Sequence, residues 1–182
     1  MKLPNGYLRV CHKNSTAFTI PTALEWTQSV FASGDTLYDW VSRHSTKDIL
    51  AGRGRVFIFP AIESTDSTTH WILRHYQRGG LLAPYLDDRY LVTGTPRPLK
   101  ELRVSKEARS RGIPTPRIIG GATYRSGLFY RADLITEYLS DATDLASVLF
   151  GLKQRNRALC ITALHTTGKL VRLLEKERVA HA

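Results

Sequence analysis

The stretch "RVFIFPAIESTDSTTHWILRHY", residues 55–76, decides the fold. "RVFIFPAI", 55–62, is β-branched and aromatic and predicts a strand, and "HWILRHY", 70–76, predicts its partner. With the polar link "ESTDSTT" between them, the two read as a hairpin. On its upstream side, Gly52 and Gly54 of "AGRGRVFIF" lead into the first strand. They either let backbone N–H groups approach phosphate oxygens or simply close a tight hairpin turn. On its downstream side, Gly79-Gly80 breaks the second strand and lets the backbone turn tightly.

Further along, "PLKELRVSKEARSR", 98–111, predicts a helix with Pro98 as its start signal and Gly112 as its stop. Its apolar stripe is weak, which predicts a half-exposed helix. "GIPTPRIIGGATYRSGLFYRADLITEYL" then predicts an extended entry, a strand near 117–123, a turn at Ser126-Gly127 and a strand over 128–136. "TDLASVLFG", 143–151, predicts a short helix with Thr143 or Asp144 as N-cap. Leu159, Ala163, Leu170 and Leu174 recur at helical spacing over 156–176. Residues 1–48 carry Thr, Ser, Asp and isolated aromatics, and read as an irregular leader with one short helix around 35–43. Strands, one helix, more strands and then helices make an α+β chain. Its expected divisions are 1–48 (leader), 49–139 (one lobe) and 140–182 (the start of a second, incomplete lobe).

Composition narrows the function classes. The chain has 182 residues and a net charge of +10. Residues 1–69 hold 7 basic and 6 acidic side chains, whereas 70–182 hold 19 and 10. An anionic partner for the second part fits this asymmetry, and so does a solvated basic face. No window has the ~18–20 uninterrupted apolar residues of a membrane span. "MKLPNGYLRVCHKNS" lacks the apolar run of a secretory signal, so the expected home is the cytoplasm. Cys11 and Cys160 belong to no metal array and read as free thiols or, less simply, a disulfide.

Arg74 lies mid-strand, either exposed to solvent or paired, and Glu101 lies one turn into a helix, where it can merely favour the dipole. Their order sharpens the argument. A glycine turn, a strand with a buried cation, a helix with a carboxylate and two strands ending in "LITEY" form the layout of a protein-kinase-type N-lobe. There the cation grips phosphates and the carboxylate holds the cation.

"WILRHYQRGGLLAPYL", 71–86, "LKELRVSKEARSRGIPTPR", 99–117, and "YRADLITEYL", 130–139, resemble the 3-deoxy-D-manno-octulosonic acid (Kdo) kinases of the lipopolysaccharide kinase family. The resemblance implies a kinase-like fold, ATP and Mg2+ as cofactors, and phosphorylation of lipid A-linked Kdo in the lipopolysaccharide inner core. It implies Gly52 and Gly54 in the nucleotide loop and Arg74 as the phosphate-gripping cation, with Arg78 also available. Glu101 would be the cation's partner, and Glu137 with Tyr138 would form the adenine hinge. It further implies peripheral contact with the cytoplasmic face of an anionic inner membrane, with no nucleic acid expected. In that family the helix equivalent to 156–176 runs into a His-Ala-Asp-Leu-Asn loop, and "VAHA", 179–182, matches its first two residues. Residues 1–182 by themselves would then lack the catalytic aspartate and every metal ligand, and the apolar face of helix 156–176 would be poorly covered. The competing readings are a pseudokinase, or a non-catalytic basic module that binds nucleic acid or an acidic partner.

Overall fold

The hairpin expected at 55–76 forms two interior strands of the sheet in the computed structural model, which describes residues 3–51, 54–62, 69–78, 87–151 and 157–179. Eight strands are described: β1 (Leu8–His12), β2 (Ser15–Thr19), β3 (Lys47–Ala51), β4 (Gly54–Pro60), β5 (His70–His75), β6 (Tyr90–Leu91), β7 (Ile118–Ser126) and β8 (Phe129–Glu137). They pair in the order β1-β2-β7-β8-β5-β4-β3, with β6 added to β8, and every pairing is antiparallel. The helices are α1 (Leu24–Ala32), α2 (Leu37–His44), α3 (Arg97–Ser110), α4 (Leu145–Phe150) and α5 (Arg157–Lys176). The chain is α+β, as its sequence indicates. The links at 63–68 and 79–86, Gly79-Gly80 included, lie outside the described residues.

Two compact units are present: residues 1–105 with 116–138, and residues 106–115 with 139–182. In the first unit, alternate strand residues feed two cores. On one face Phe57, Phe59, Trp71, Leu73 and Ile135 pack with Trp26, Val30 and Phe31 of α1 and Leu37 and Val41 of α2. On the other, Phe18, Tyr76, Ala132 and Leu134 meet Leu99 and Leu102, which are one turn apart on α3. The rest of α3 is largely exposed, as its weak stripe predicts.

The irregular leader is not what forms. Residues 8–44 supply two strands and two helices, and β2 pairs with β7 from Ser15↔Tyr124 to Thr19↔Gly120. The reason is local chemistry that composition conceals. Lys13-Asn14 joins β1 to β2 as a two-residue hairpin, with Lys13 at φ 50°. Pro21 opens the turn before α1, and Thr36 caps α2 by accepting from the Asp39 N–H at 3.0 Å.

Gly121 shows how tightly α3 sits on the sheet. A Cβ there would lie 2.7 Å from the Phe18 ring and 2.9 Å from Pro98. Gly121→Val is therefore expected to cost about 1–3 kcal/mol through overpacking. Thermal unfolding checks this, and an unchanged midpoint would contradict such close packing.

In the second unit, Gly112 follows α3 at φ +75°, the left-handed stop expected of it. Asp144 is the N-cap of α4, accepting from the Ser147 N–H at 2.7 Å. The Cys160 thiol of α5 donates to the Val148 carbonyl at 3.4 Å, and both cysteines are free thiols. α5 has no buried residue, and Leu159, Ile161, Leu164 and Val171 stand about half exposed.

Candidate active site

β5 and α3 bring together the two residues on which the kinase-type layout depends. Leu73 is buried in the core beneath α1 and α2, so strand alternation turns Arg74 to the face that α3 covers. Arg74 lies opposite Val56 on β4 and Leu134 on β8. Glu101 lies in the first turns of α3, beside buried Leu102. Arg74 Nη2 donates to Glu101 Oε2 at 2.7 Å, and the guanidinium carbon sits 5.2 Å from the centre of the Tyr76 ring. Burial first, and the negative charge of Glu101 second, push the Tyr76 phenol far above its ordinary value, so it keeps its proton.

The expectation of a buried cation needs correcting. The Arg74 side chain is 51% exposed and that of Glu101 43%. Arg74 is mid-strand, but it emerges where the α3 face opens to water. A guanidinium carries five N–H donors and cannot lose its charge. Held at one edge by Glu101 and open to solvent, it suits the capture of a phosphate group.

The other expected site residues are spread around this pair. Gly54 opens β4 opposite Ala51, so only 52 and 53 connect β3 to β4. Gly52 lies outside the described residues. Gly54 is two residues from Val56, hence close to Arg74 along the sheet. Glu137 ends β8 opposite Trp71, roughly 10 Å along β5 from Arg74 at strand spacing. Its N–H donates to the Arg117 carbonyl at 2.9 Å, and its Oε1 accepts from the Arg117 N–H at 2.6 Å. The Tyr138 N–H donates to the His70 carbonyl at 3.0 Å. Both N–H groups at this strand end are thus engaged, and adenine recognition through them would require breaking those bonds. Arg78 does not meet Glu101; its guanidinium lies over the Tyr90 ring. The segment 180–182, with His181, lies outside the described residues. Among the described residues, no group of three His, Cys, Asp or Glu side chains is placed to hold a metal ion.

A buried polar network on the opposite face of the sheet escaped sequence reasoning. Asp133, fully buried, accepts from the Tyr124 hydroxyl at 2.6 Å and from the Tyr38 N–H at 3.1 Å. His75 Nδ1 lies 2.6 Å from Asp133 Oδ1, and its Nε2 lies 3.1 Å from Asp88 Oδ2. The Leu37 N–H donates to the Tyr124 hydroxyl at 2.8 Å, so the open N–H groups of α2 are received by the sheet. The one signal was a carboxylate inside an otherwise apolar strand, "YRADLITEY". Of this network His75, Asp88 and Tyr124, with Tyr38 and Arg131, line a cleft of about 230 Å³.

Burial works against a charged His75 ring, but hydrogen bonds to Asp133 and Asp88 and their charges outweigh it, raising its pKa above 6.5. A raised folded-state pKa stabilises the fold fully below the unfolded value, near 6.5, and that contribution is lost as pH rises through the folded value. Urea unfolding is expected to show stability falling with pH across this window, and His75→Gln is expected to flatten the slope. An unchanged slope in that variant would contradict the assignment.

The sequence profile described as "Lipopolysaccharide kinase (Kdo/WaaP) family" matches residues 54–182. The chain belongs to this family. A 3-deoxy-D-manno-octulosonic acid kinase of Vibrio vulnificus is 31% identical over 147 residues, covering 79% of this chain and 56% of the relative. Similar kinases of Vibrio cholerae (33% over 112 residues, 60% and 46%) and Xylella fastidiosa (30% over 133 residues, 72% and 49%) also match. The chain spans about half the length of the curated relatives it matches. No solved structure matches it. The profile covers β4, β5, α3, β7 and β8, which include the two elements that carry the Arg74–Glu101 pair.

Proposed function

We propose that this chain supplies the nucleotide-gripping part of a Kdo kinase, which phosphorylates lipid A-linked Kdo in the lipopolysaccharide inner core at the expense of ATP. The observation that carries the reading is the Arg74–Glu101 ion pair at 2.7 Å, joining the central strand to the helix within the family-matched residues. In the reaction a sugar hydroxyl oxygen bonds to the γ-phosphorus, the bond from that phosphorus to the ADP oxygen breaks, and the hydroxyl proton leaves to a base. Bound ATP supplies the phosphoryl group, and Mg2+ neutralises charge on its oxygens. Arg74 neutralises phosphate oxygens from the protein side, and Glu101 fixes where that charge stands. Gly54, which opens β4, would bring backbone close to the same phosphates. Glu137 and Tyr138, at the end of β8 and just past it, would meet adenine only on release of their N–H groups from Arg117 and His70.

Phosphoryl transfer needs a base to take the hydroxyl proton, and the family resemblance assigns that role to the aspartate of a His-Ala-Asp-Leu-Asn loop. The basic excess of residues 70–182 favours a peripheral position on the cytoplasmic face of the anionic inner membrane.

Label transfer from ATP to Kdo-bearing lipid A, by protein containing residues 1–182 together with that loop, tests the reading. Label is expected on Kdo-bearing lipid A and not on lipid A without Kdo. Equal labelling of both, or ATP binding with no transfer to either, would overturn the assignment of the acceptor.

A further inference from the structure

A second basic cluster lies on the α3 face of the sheet, away from the Arg74–Glu101 contact. Arg78, just past β5, and Arg97, the first residue of α3, both stand over the ring of Tyr90, at 5.1 and 4.8 Å from its centre. Their guanidinium carbons are therefore no more than about 10 Å apart. Cations over an aromatic face are favourable singly, but two that share one ring repel each other unless a negative charge intervenes.

No acid supplies that charge. Among the described residues neither Arg78 nor Arg97 forms an ion pair with a carboxylate. Asp88 is turned to His75 and Arg131. Asp87 meets Arg78 only through its backbone carbonyl, which accepts the Arg78 N–H at 2.9 Å. The sequence "GGLLAPYL", 79–86, contains no acidic residue.

Hydrogen-bond donors are also left over. Arg78 Nε and the Tyr90 hydroxyl are buried without a hydrogen-bond partner. Tyr90 is only 6% exposed. Buried donors in proteins are nearly always satisfied. Unpartnered donors beside two cations call for an acceptor that carries negative charge. Trp26 Nε1 is similarly unpartnered in the other core, but it has no cation beside it and does not share this logic.

We propose that Arg78, Arg97 and the Tyr90 hydroxyl form an oxyanion site, taking a phosphate or carboxylate group, separate from the Arg74–Glu101 pair. Its source is either an acidic group on the acceptor or a further phosphate of the nucleotide, and the two sources share this chemistry. The inference does not depend on the identity of the acceptor sugar.

Calorimetric titration of the 182-residue protein with inorganic phosphate tests it. Arg78→Gln and Arg97→Gln are each expected to weaken phosphate binding roughly ten- to hundredfold, the scale of a charge-assisted hydrogen bond. Tyr90→Phe keeps the ring and is expected to weaken phosphate without lowering stability in phosphate-free buffer, which sets binding apart from misfolding. In an Arg74→Ala background, which removes the guanidinium of the nucleotide reading, Arg78→Gln and Arg97→Gln are expected to weaken phosphate binding by the same factor, so this site and the nucleotide reading can fail independently. Repeating the titration with a saturating non-hydrolysable ATP analogue separates the sources. Undiminished phosphate binding assigns the site to an acceptor group, whereas displacement assigns it to a nucleotide phosphate. Absence of saturable phosphate binding at millimolar concentration, or binding that Arg78→Gln and Arg97→Gln leave intact, would overturn the proposal.

Discussion

Replacing Arg74 with Ala is expected to weaken ATP binding roughly ten- to hundredfold while changing folding stability by less than about 1 kcal/mol. The two halves of this expectation have different causes. Both partners of the ion pair are about half exposed, at 51% and 43%. Water and side-chain entropy offset most of what an exposed pair gains, so its loss barely affects folding. A triphosphate brings several negative charges, and a guanidinium already positioned by Glu101 meets them without reorganising. Arg74→Lys is expected to retain part of the affinity, because the ammonium keeps the charge but not the planar fork that meets Glu101 and a phosphate together. Calorimetric titration with a non-hydrolysable ATP analogue, run beside urea unfolding, reads both halves. Equal losses of stability and binding would make Arg74 a structural residue.

The largest stability effect is expected at Asp133, on the other face of the sheet. Asp133→Ala removes the partner of the Tyr124 hydroxyl, the Tyr38 N–H and His75 Nδ1, three groups that the carboxyl group now serves. Unsatisfied buried groups cost about 1–3 kcal/mol each, and breaking such a network costs about 3–5 kcal/mol in all. Against a typical total of about 5–15 kcal/mol, that is enough to populate the unfolded state. Asp133→Asn preserves the shape and one acceptor oxygen and is expected to lose less. Denaturant midpoints for the two variants check the order. A change below about 1 kcal/mol for Asp133→Ala would show that the docking of α2 does not depend on this residue.

Much of the fold was legible because its elements announce themselves locally. β4 and β5 are runs of apolar β-formers, α3 lies between Pro98 and Gly112, and β7 and β8 flank a glycine turn at Gly127, which has φ 57°. The N-terminal strands were not legible in the same way. "LRVCH" and "STAFT" are five residues each, too short for alternation to stand out; β1 is held through β2, which pairs with β7 some hundred residues later. The cue that was overlooked is Asn14 in a two-residue connection.

The site divides along the same line. Arg74 and Glu101 were legible from order and spacing, because a strand followed by a helix allows few ways of bringing a cation to a carboxylate. The exposure of Arg74 was not, since it depends on where α3 ends its cover. The His75–Asp133–Tyr124 network and the pairing of Arg78 and Arg97 over Tyr90 join residues from separate strands and helices, and no spacing rule links them. The engaged N–H groups of Glu137 and Tyr138 depend on β-sheet register, which sequence leaves open at strand ends.

The central claim is that Arg74 grips phosphate and that Glu101 acts only by positioning Arg74. A double-mutant cycle on ATP-analogue affinity tests it most directly, with Arg74→Ala, Glu101→Gln and the double variant measured together. The account predicts that each single variant weakens binding and that the double variant is no weaker than Arg74→Ala, because Glu101 has nothing left to position. Additive losses would contradict it, since they would mean that the two residues meet the nucleotide independently.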